Sequence, residues 1–415
     1  MDSIKLSRRR LLQSSLLASG AMANVSLPSL FGCDEATTKK RVAAVITIYR
    51  HNSHADVILG KILEGWKQDG GEGPNLELVS LYVDQFPDDD MSRKLAERFG
   101  FRLCTTIEEA ITLGSAWIAV DGVISIGEHG DYPWNEKGQH LYPRRRFFAA
   151  IADTFEKCGS VVPVFNDKHP GPEWADALWM YQRAKELQIP WMAGSSLPVS
   201  YRQPDQTLRW QDEVSACVAI GYSGLDIYGF HTLDFMQCLL ERRKGGELGV
   251  QWVQSLPTTK MGEWLDQGQI DSKLLEDALA VTGGDRAKLL QAPPEDGALF
   301  VIQYRDGLKV PVLMLSGNAE AIGAAIRTKS GEIVAIRTEE RPDPRYPHFA
   351  YLLKGIENMF HTGKPSYPVE RSLLTAGMLD RLLTSRSQND VRIETPELAI
   401  QYEPVDYGYA PHFDL

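Results

Sequence analysis

The sequence predicts an α/β protein: a Rossmann-like, doubly wound parallel sheet over residues 41–195, then an α+β domain with a large, mostly antiparallel sheet over 196–415. Three observations predict it. From residue 42 short β-branched runs alternate with stretches of helical period, the rhythm of a parallel sheet covered by helices. After Ser195-Ser196-Leu197-Pro198 that rhythm gives way to alternating strands such as Leu299–Tyr304 and Pro311–Ser316. The chain of 415 residues, less an N-terminal targeting segment, is long enough for two domains with substantial cores.

In order along the first part, strands are expected at Val42–Ile48, Leu76–Val83, Gly122–Ile126, Val161–Phe165 and Pro190–Ala193. Helices are expected near Asp56–Lys67, Met91–Phe99, Ile107–Leu113, Tyr142–Lys157 and Glu173–Leu187. A ligand of such a sheet lies at the carboxyl ends of its strands. In the second part, helices near Leu233–Arg242 and His348–His361 are expected on one face of the antiparallel sheet. The stretch Gly283–Gly297, rich in Gly, Pro and charge, reads as a surface loop.

Residues 1–33 read as a twin-arginine signal peptide. Ser7-Arg8-Arg9-Arg10-Leu11-Leu12 leads into an apolar run diluted by Ala, Ser and Gly that ends at Leu30. The expected location is therefore the periplasm or a membrane tether. Cleavage falls after Ala23, in Ala21-Met22-Ala23, or before Cys33, in Leu30-Phe31-Gly32-Cys33, where Cys33 would carry a lipid anchor. Residues 34–40 form a linker. No other stretch approaches the roughly 18 apolar residues a membrane span needs.

Charge narrows the partner. With 44 Lys+Arg against 55 Asp+Glu the net charge is -11, which argues against nucleic acid and suits a neutral or cationic small substrate. Cys104, Cys158, Cys217 and Cys238 form no C-x-x-C pair, so they give neither a disulfide framework nor a zinc signature and read as core positions.

Chemistry-bearing residues cluster just after the expected strands. The first strand-to-helix turn, Tyr49-Arg50-His51-Asn52-Ser53-His54, has none of the glycines that let a backbone approach a pyrophosphate, although Arg50, Asn52 and Ser53 offer donors to an anion and Ser53 can cap the helix. His51 and His54 have a spacing open to metal ligation, but with no carboxylate beside them they read as surface or capping residues. Asp84 closes the second strand, where an acid can bond ribose hydroxyls or simply serve a turn; an inserted loop, Gln68–Asn75, lengthens the approach to it. Glu128, His129 and Asp131 follow the third long strand in Gly127-Glu128-His129-Gly130-Asp131, three ionisable groups at the sheet's carboxyl edge. Asn166-Asp167-Lys168-His169-Pro170 follows the next, with a lysine flanked by acid and imidazole and suited to proton transfer or to holding a hydroxyl. His231, in Tyr228-Gly229-Phe230-His231-Thr232-Leu233-Asp234, sits at a helix start with Asp234 one turn on, either a general base oriented by that acid or a buried histidine beside a capping one.

This order of features, a lysine tripeptide after the fifth expected strand and Gly-x-His-x-x-Asp opening a later helix, resembles the Gfo/Idh/MocA oxidoreductases over most of the mature chain. Asp167-Lys168-His169 stands where that family has Glu-Lys-Pro, and Gly229-Phe230-His231-Thr232-Leu233-Asp234 is similar to its Gly-x-His-x-x-Asp. Val83–Phe99 likewise resembles the family's second βα unit. The resemblance implies hydride exchange between tightly held NAD or NADP and a carbohydrate, a sugar or polyol. Lys168 would steer the reacting hydroxyl and His231 take its proton, with Asp167 completing the catalytic set. Tyr49, Arg50, Asn52, Ser53, Asp84 and Glu128 would face the cofactor, and His129, Asp131, His169 and Asp234 the substrate. It also implies homo-oligomers packed through the open sheet of the second domain. Two departures stand beside these matches: the glycine turn is gone, and the acid expected four residues before the histidine falls on Ile227, with Asp226 one position out of register.

Two further readings use the same residues. One is a redox-silent sugar-processing enzyme (lyase, hydrolase or epimerase), its metal-assisted version using Glu128, His129, Asp131 and His169; the other is a non-catalytic glycan-binding protein.

Overall fold

The computed structural model describes residues 38–412. The twin-arginine segment, both cleavage sites and Cys33 lie outside the described residues.

The first half builds a six-stranded, all-parallel sheet from β1 (Lys40–Ile46), β2 (Leu76–Val83), β3 (Arg102–Cys104), β4 (Gly122–Ile126), β5 (Val164–Asp167) and β6 (Trp191–Gly194), in the order β3-β2-β1-β4-β5-β6. The intervening helices are α1 (His54–Glu64), α2 (Ser92–Phe99), α3 (Ile107–Thr112), α4 (Arg144–Cys158) and α5 (Trp174–Leu187). Val42–Ile46 and Val123–Ile126 are buried on both faces, as parallel strands covered by helices must be. The order reverses between β1 and β4, and that switch point opens a crevice at the strands' carboxyl ends. Three residues is too short a run to show a period, which is why β3 was not expected. β5 starts later than expected and runs through Asp167, whose partner in the β6 ladder is Gly194.

The second half adds β7 (Tyr201–Gln203), β8 (Val214–Gly221), α6 (Ile227–Leu240), β9 (Val250–Leu256), α7 (Met261–Asp266), α8 (Ser272–Thr282), α9 (Arg286–Gln291), β10 (Ala298–Tyr304), β11 (Lys309–Met314), β12 (Gly323–Thr328), β13 (Ile333–Glu339), α10 (His348–Thr362), α11 (Glu370–Ser387) and β14 (Ile393–Glu394). Its eight strands run β14-β9-β10-β11-β8-β12-β13-β7, with β11–β8 the parallel pair in an otherwise antiparallel sheet.

Three expectations for this half need correction. Helices cover both faces of its sheet, not one. Cys217, Ala219, Phe300, Ile302 and Val312 pack against α6 and α11, while the alternate residues Val218, Ile220, Leu299, Val301 and Leu313 pack against α8. Leu274, Leu275, Ala278 and Leu279 of α8 thus occupy the face through which oligomers were expected to pack. The expected surface loop Gly283–Gly297 contains α9, capped by Asp285, whose carboxylate accepts from the Ala287 and Lys288 amides. Finally, α10 belongs to the core of the first sheet: Phe349, Leu352, Ile356, Met359 and Phe360 pack with Val42, Ile46 and Ile124. Gly122 is required there, since a Cβ on it would lie 2.7 Å from the Phe360 ring. Residue 195 therefore separates the sheets but not the helices that cover them.

Among the described residues no helix is long and apolar enough to cross a membrane, and Cys104, Cys158, Cys217 and Cys238 are free thiols.

Candidate functional site

A cavity of ≈ 300 Å³ lies at the carboxyl ends of the parallel strands, closed from the other side by the start of α6 and the β13–α10 connection. Asn52, His54, Glu128, His129, Lys168, Tyr228, His231, Glu340, Tyr346 and His348 are among the residues lining it.

Its floor is a buried ion triad. Glu128 leaves β4 and is 3% exposed; its Oε1 accepts from Lys168 Nζ at 3.0 Å and its Oε2 from Arg144 at 2.7 Å. Burial pushes the Glu128 carboxyl up, but the Lys168 and Arg144 charges outweigh it and hold the group well below the usual carboxylate range. Two cations against one anion leave this wall net positive, a surface for electron-rich oxygens. Lys168 is aimed by its backbone: it adopts φ 62, the left-handed region, and its amide donates to Gly194 O at 3.0 Å. Leaving the strand in this way turns the side chain from sheet to cavity.

His169 stands behind the triad, not in the cavity. Its Nδ1 faces the Gly171 carbonyl at 2.6 Å and its Nε2 faces Arg144 at 3.0 Å. Burial and the Arg144 charge push it well below the ordinary imidazole range, so it serves as a neutral acceptor for Arg144.

Four other imidazoles, His54, His129, His231 and His348, do line the cavity. His231 hydrogen-bonds through Nδ1 to Ser195 Oγ at 2.6 Å, while Asp234, expected to orient it, accepts instead from the Ser195 amide at 2.9 Å. Asp234 is 1% exposed and holds the strand end in place. One helical turn separates Asp234 from His231 in sequence, but the Ser195 loop comes between them in space. Burial, then the Lys168 charge, pushes His231 well below the ordinary imidazole range. The second ring is His54, the first residue of α1, whose Nδ1 lies 2.6 Å from Asp167 Oδ2. Asp167 itself is 1% exposed and does not line the cavity; His54 does. His129 packs edge-on to His54, with 5.4 Å between ring centroids. Burial pushes it down to about 4, and its Nδ1 is a buried atom with no partner among the described residues.

The remaining candidates fall elsewhere. Asp131 is exposed outside the cavity and Arg50 is exposed beside it; Tyr49 is 0% exposed within the first core. Ser53 caps α1, accepting from the Asp56 amide at 3.3 Å. Asp226, whose side chain accepts from the His140 amide at 2.9 Å, lies at the start of α6 and does not line the cavity. The four residues of the metal-assisted reading are not brought together, because Lys168 and Arg144 occupy the lone pairs of Glu128 and Asp131 points away. Among the described residues no group of three or more His, Cys, Asp or Glu is placed to hold a metal ion.

Whether these residues fit a dinucleotide can be tested at two points. Such a ligand places its pyrophosphate on the amides at the N-terminus of α1 and its ribose on the acid ending β2. At the first point the chain supplies its own anion: the Asp56 carboxylate accepts from the Asn52 amide at 2.8 Å, and Arg345 bonds both Asp56 and Asn52 Oδ1. At the second, Asp84 accepts from Tyr132 OH at 2.7 Å, from Tyr82 OH at 2.8 Å and from Arg146 at 2.6 Å. The 128–132 segment is pinned over the crevice, since the Gln85 side-chain amide makes two 2.9 Å bonds to the Asp131 backbone. The glycine turn of a dinucleotide cradle is absent, and beside both of its ends the chain's own side chains are bonded to one another.

Sequence reasoning gave His54 only a surface or capping role and missed Ser195, Arg144, Arg345 and His348. Ser195, directly after a strand, carried a weak positional signal. Arg345 carried none, since nothing local ties it to α1.

No protein-family profile matches this chain, and no curated protein resembles it in sequence. Solved structures share its fold. GenD2 from gentamicin A biosynthesis, determined in complex with NAD, is 12% identical with a TM-score of 0.56 over 86% of this chain and 96% of its own. A putative myo-inositol dehydrogenase from Sinorhizobium meliloti 1021 is 12% identical with a TM-score of 0.53, over 86% of this chain and 99% of its own. A probable dehydrogenase from Thermotoga maritima is 12% identical with a TM-score of 0.52 over the same shares. The structural neighbours are thus Gfo/Idh/MocA-type dehydrogenases, and the two-sheet fold that the resemblance implied is the fold this chain adopts.

Proposed function

We propose that this protein is an enzyme that moves protons on a small carbohydrate, a sugar or polyol derivative, without a net redox change. The observation that carries the reading is Lys168, fixed by Glu128 at 3.0 Å, lining the same cavity as His231, whose ring burial keeps neutral. An ammonium held beside a developing oxyanion, with an imidazole as base, supplies the two functions that proton abstraction next to an oxygen-bearing carbon requires. Tyr228 and Tyr346 offer faces for the C–H side of a sugar, and Asn52 and Glu340 polar contacts for its hydroxyls. The work would take place outside the cytoplasm, which Arg8-Arg9 supports, with Cys33 as a lipid anchor if cleavage occurs there. Association into homo-oligomers would use a surface other than the face covered by α8.

A second reading, an NAD(P)-dependent carbohydrate oxidoreductase, is favoured by the fold shared with GenD2, which was solved with NAD. In it the cofactor would compete with the Asp56–Arg345 pair beside α1 and with the bonds of Asp84. Protein isolated as the cytoplasmic precursor separates the two. Native mass spectrometry and calorimetry are expected to show neither retained nor added NAD(P), together with turnover of a sugar in cofactor-free buffer. A stoichiometric bound dinucleotide that sugar reduces, with oxidised sugar as the product, would overturn the first reading and establish the second.

A further inference from the structure

Of the four imidazoles that line the cavity, two come from different parts of the chain yet are mounted alike. His54 on α1 and His231 on α6 are each fixed through Nδ1, to Asp167 and to Ser195, at 2.6 Å in both cases. Their anchors sit on neighbouring strand ends, for Asp167 pairs with Gly194 in the β5–β6 ladder and Ser195 follows Gly194. Adjacent strands lie about 4.8 Å apart, so the anchors hold the rings in one neighbourhood, with Lys168 next to Asp167 in the chain. Both rings line the cavity, and among the described residues neither Nε2 has a protein partner.

The mounts differ in one respect that assigns direction. Ser195 is neutral, and burial together with the Lys168 charge keeps the His231 ring neutral, with Nε2 open to accept a proton. Asp167 is a carboxylate at hydrogen-bond distance, the partner that accommodates an imidazolium. Paired groups with divergent surroundings are the arrangement of an acid and a base acting together.

Resting on the proton-transfer reading above, we propose that His54 is a second catalytic residue and that the site is a two-base one, inverting a carbon beside the carbonyl of an aldose, ketose or keto-sugar. His231 Nε2 takes the proton from that carbon. The C–H electron pair becomes the C=C bond of an enediolate, and the carbonyl π pair moves onto the oxygen facing Lys168. His54, held through Nδ1 by Asp167, is the acid of the pair: its Nε2 proton goes to the opposite face of the same carbon as the enediolate returns to the carbonyl. One C–H bond breaks and one forms, nothing is oxidised or reduced, and no co-reactant is consumed. The reverse turnover, or exchange with water, resets the two histidines.

The experiment uses the mature chain in D₂O with glucose, mannose, galactose and fructose as probes, following inversion and deuterium uptake next to the carbonyl by NMR. Wild type is expected to do both with at least one probe. His54→Asn is expected to lose inversion at least 100-fold while still washing out the proton on the His231 side; His231→Asn should show the mirror-image behaviour from the other epimer. Asp167→Asn should reduce inversion as well, with its fold checked by circular dichroism. Inversion by His54→Asn at the wild-type rate would overturn the role of His54 and leave the proton-transfer reading standing. Absence of exchange in wild type with every probe would overturn both.

Discussion

Arg345 donates to the carboxylate of Asp56 across 289 positions of sequence, locking the β13–α10 connection onto the first turn of α1. The Asp56 side chain is 5% exposed, so its charge depends on that partner and on the Asn52 amide. Arg345→Ala should therefore cost about 3 kcal/mol, the penalty for stranding a buried charge. The double variant Arg345→Ala/Asp56→Asn should recover most of it. Urea midpoints of the three proteins check this; equal losses in the single and double variants would show that the pair contributes nothing.

Glu128 predicts an acid limb. Its folded value lies below its unfolded one, so its contribution is fully present above the unfolded value of about 4.3 and is lost as pH falls below it. Glu128→Gln strands Lys168 and Arg144 and should lower stability at pH 7 by about 3–5 kcal/mol. Its melting temperature should also fall less steeply than that of wild type between pH 5 and 3 (about that window, from the same linkage). Parallel curves would contradict the assignment.

Lys61, 0% exposed, donates to the Arg345 carbonyl at 2.6 Å, and burial pulls it down to about 8. The depressed value means that the charged form is disfavoured by folding. The cost is absent above the unfolded value of about 10.4 and fully present once pH falls through the folded one. Lys61→Met should thus stabilise the protein at pH 7, by about 1–2 kcal/mol after the lost hydrogen bond is deducted. The gain should shrink to nothing on approaching pH 10.5 or so. Chemical denaturation at three pH values tests the sign.

Gly194 carries φ 141, and a Cβ there would meet Ser372 Oγ at 2.9 Å and Asp234 Oδ2 at 3.2 Å. Gly194→Ala should destabilise by about 1–3 kcal/mol. Since Ser195 follows directly, it should also shift the His231 ring resonances in NMR spectra at temperatures where the variant is folded. An unperturbed His231 would mean that the Ser195 mount tolerates movement of the strand end.

His348 extends the pH argument. Burial, then the His54 charge, pushes it down to about 3. A folded value below the unfolded one of about 6.5 makes the native state lose stability as pH falls between the two. His348→Gln should flatten that decline in a melting-temperature profile; an unchanged slope would place the acid sensitivity elsewhere.

Hydrophobic period and strand-end chemistry are local properties, and the sequence alone determined what depends on them: the two-sheet α/β architecture, most helices to within a few residues, the clustering of Glu128, His129 and Lys168 beside strand ends, and His231 near a helix start. It also showed the absence of glycine from the first turn. Only the tertiary structure decided which of these residues share a cavity, because that depends on partners far apart in the chain. Asp131 and Asp234 lie a few residues from site residues and outside the site, while His54 joins it through Asp167. Arg345 fills the entrance of α1 because a loop 289 positions later returns there, and α8 covers a sheet face whose alternation of apolar residues says that it is buried but not by what. Periodicity specifies which side of an element avoids water; long-range hydrogen bonds and ion pairs, formed after the chain has closed on itself, choose the partner it meets.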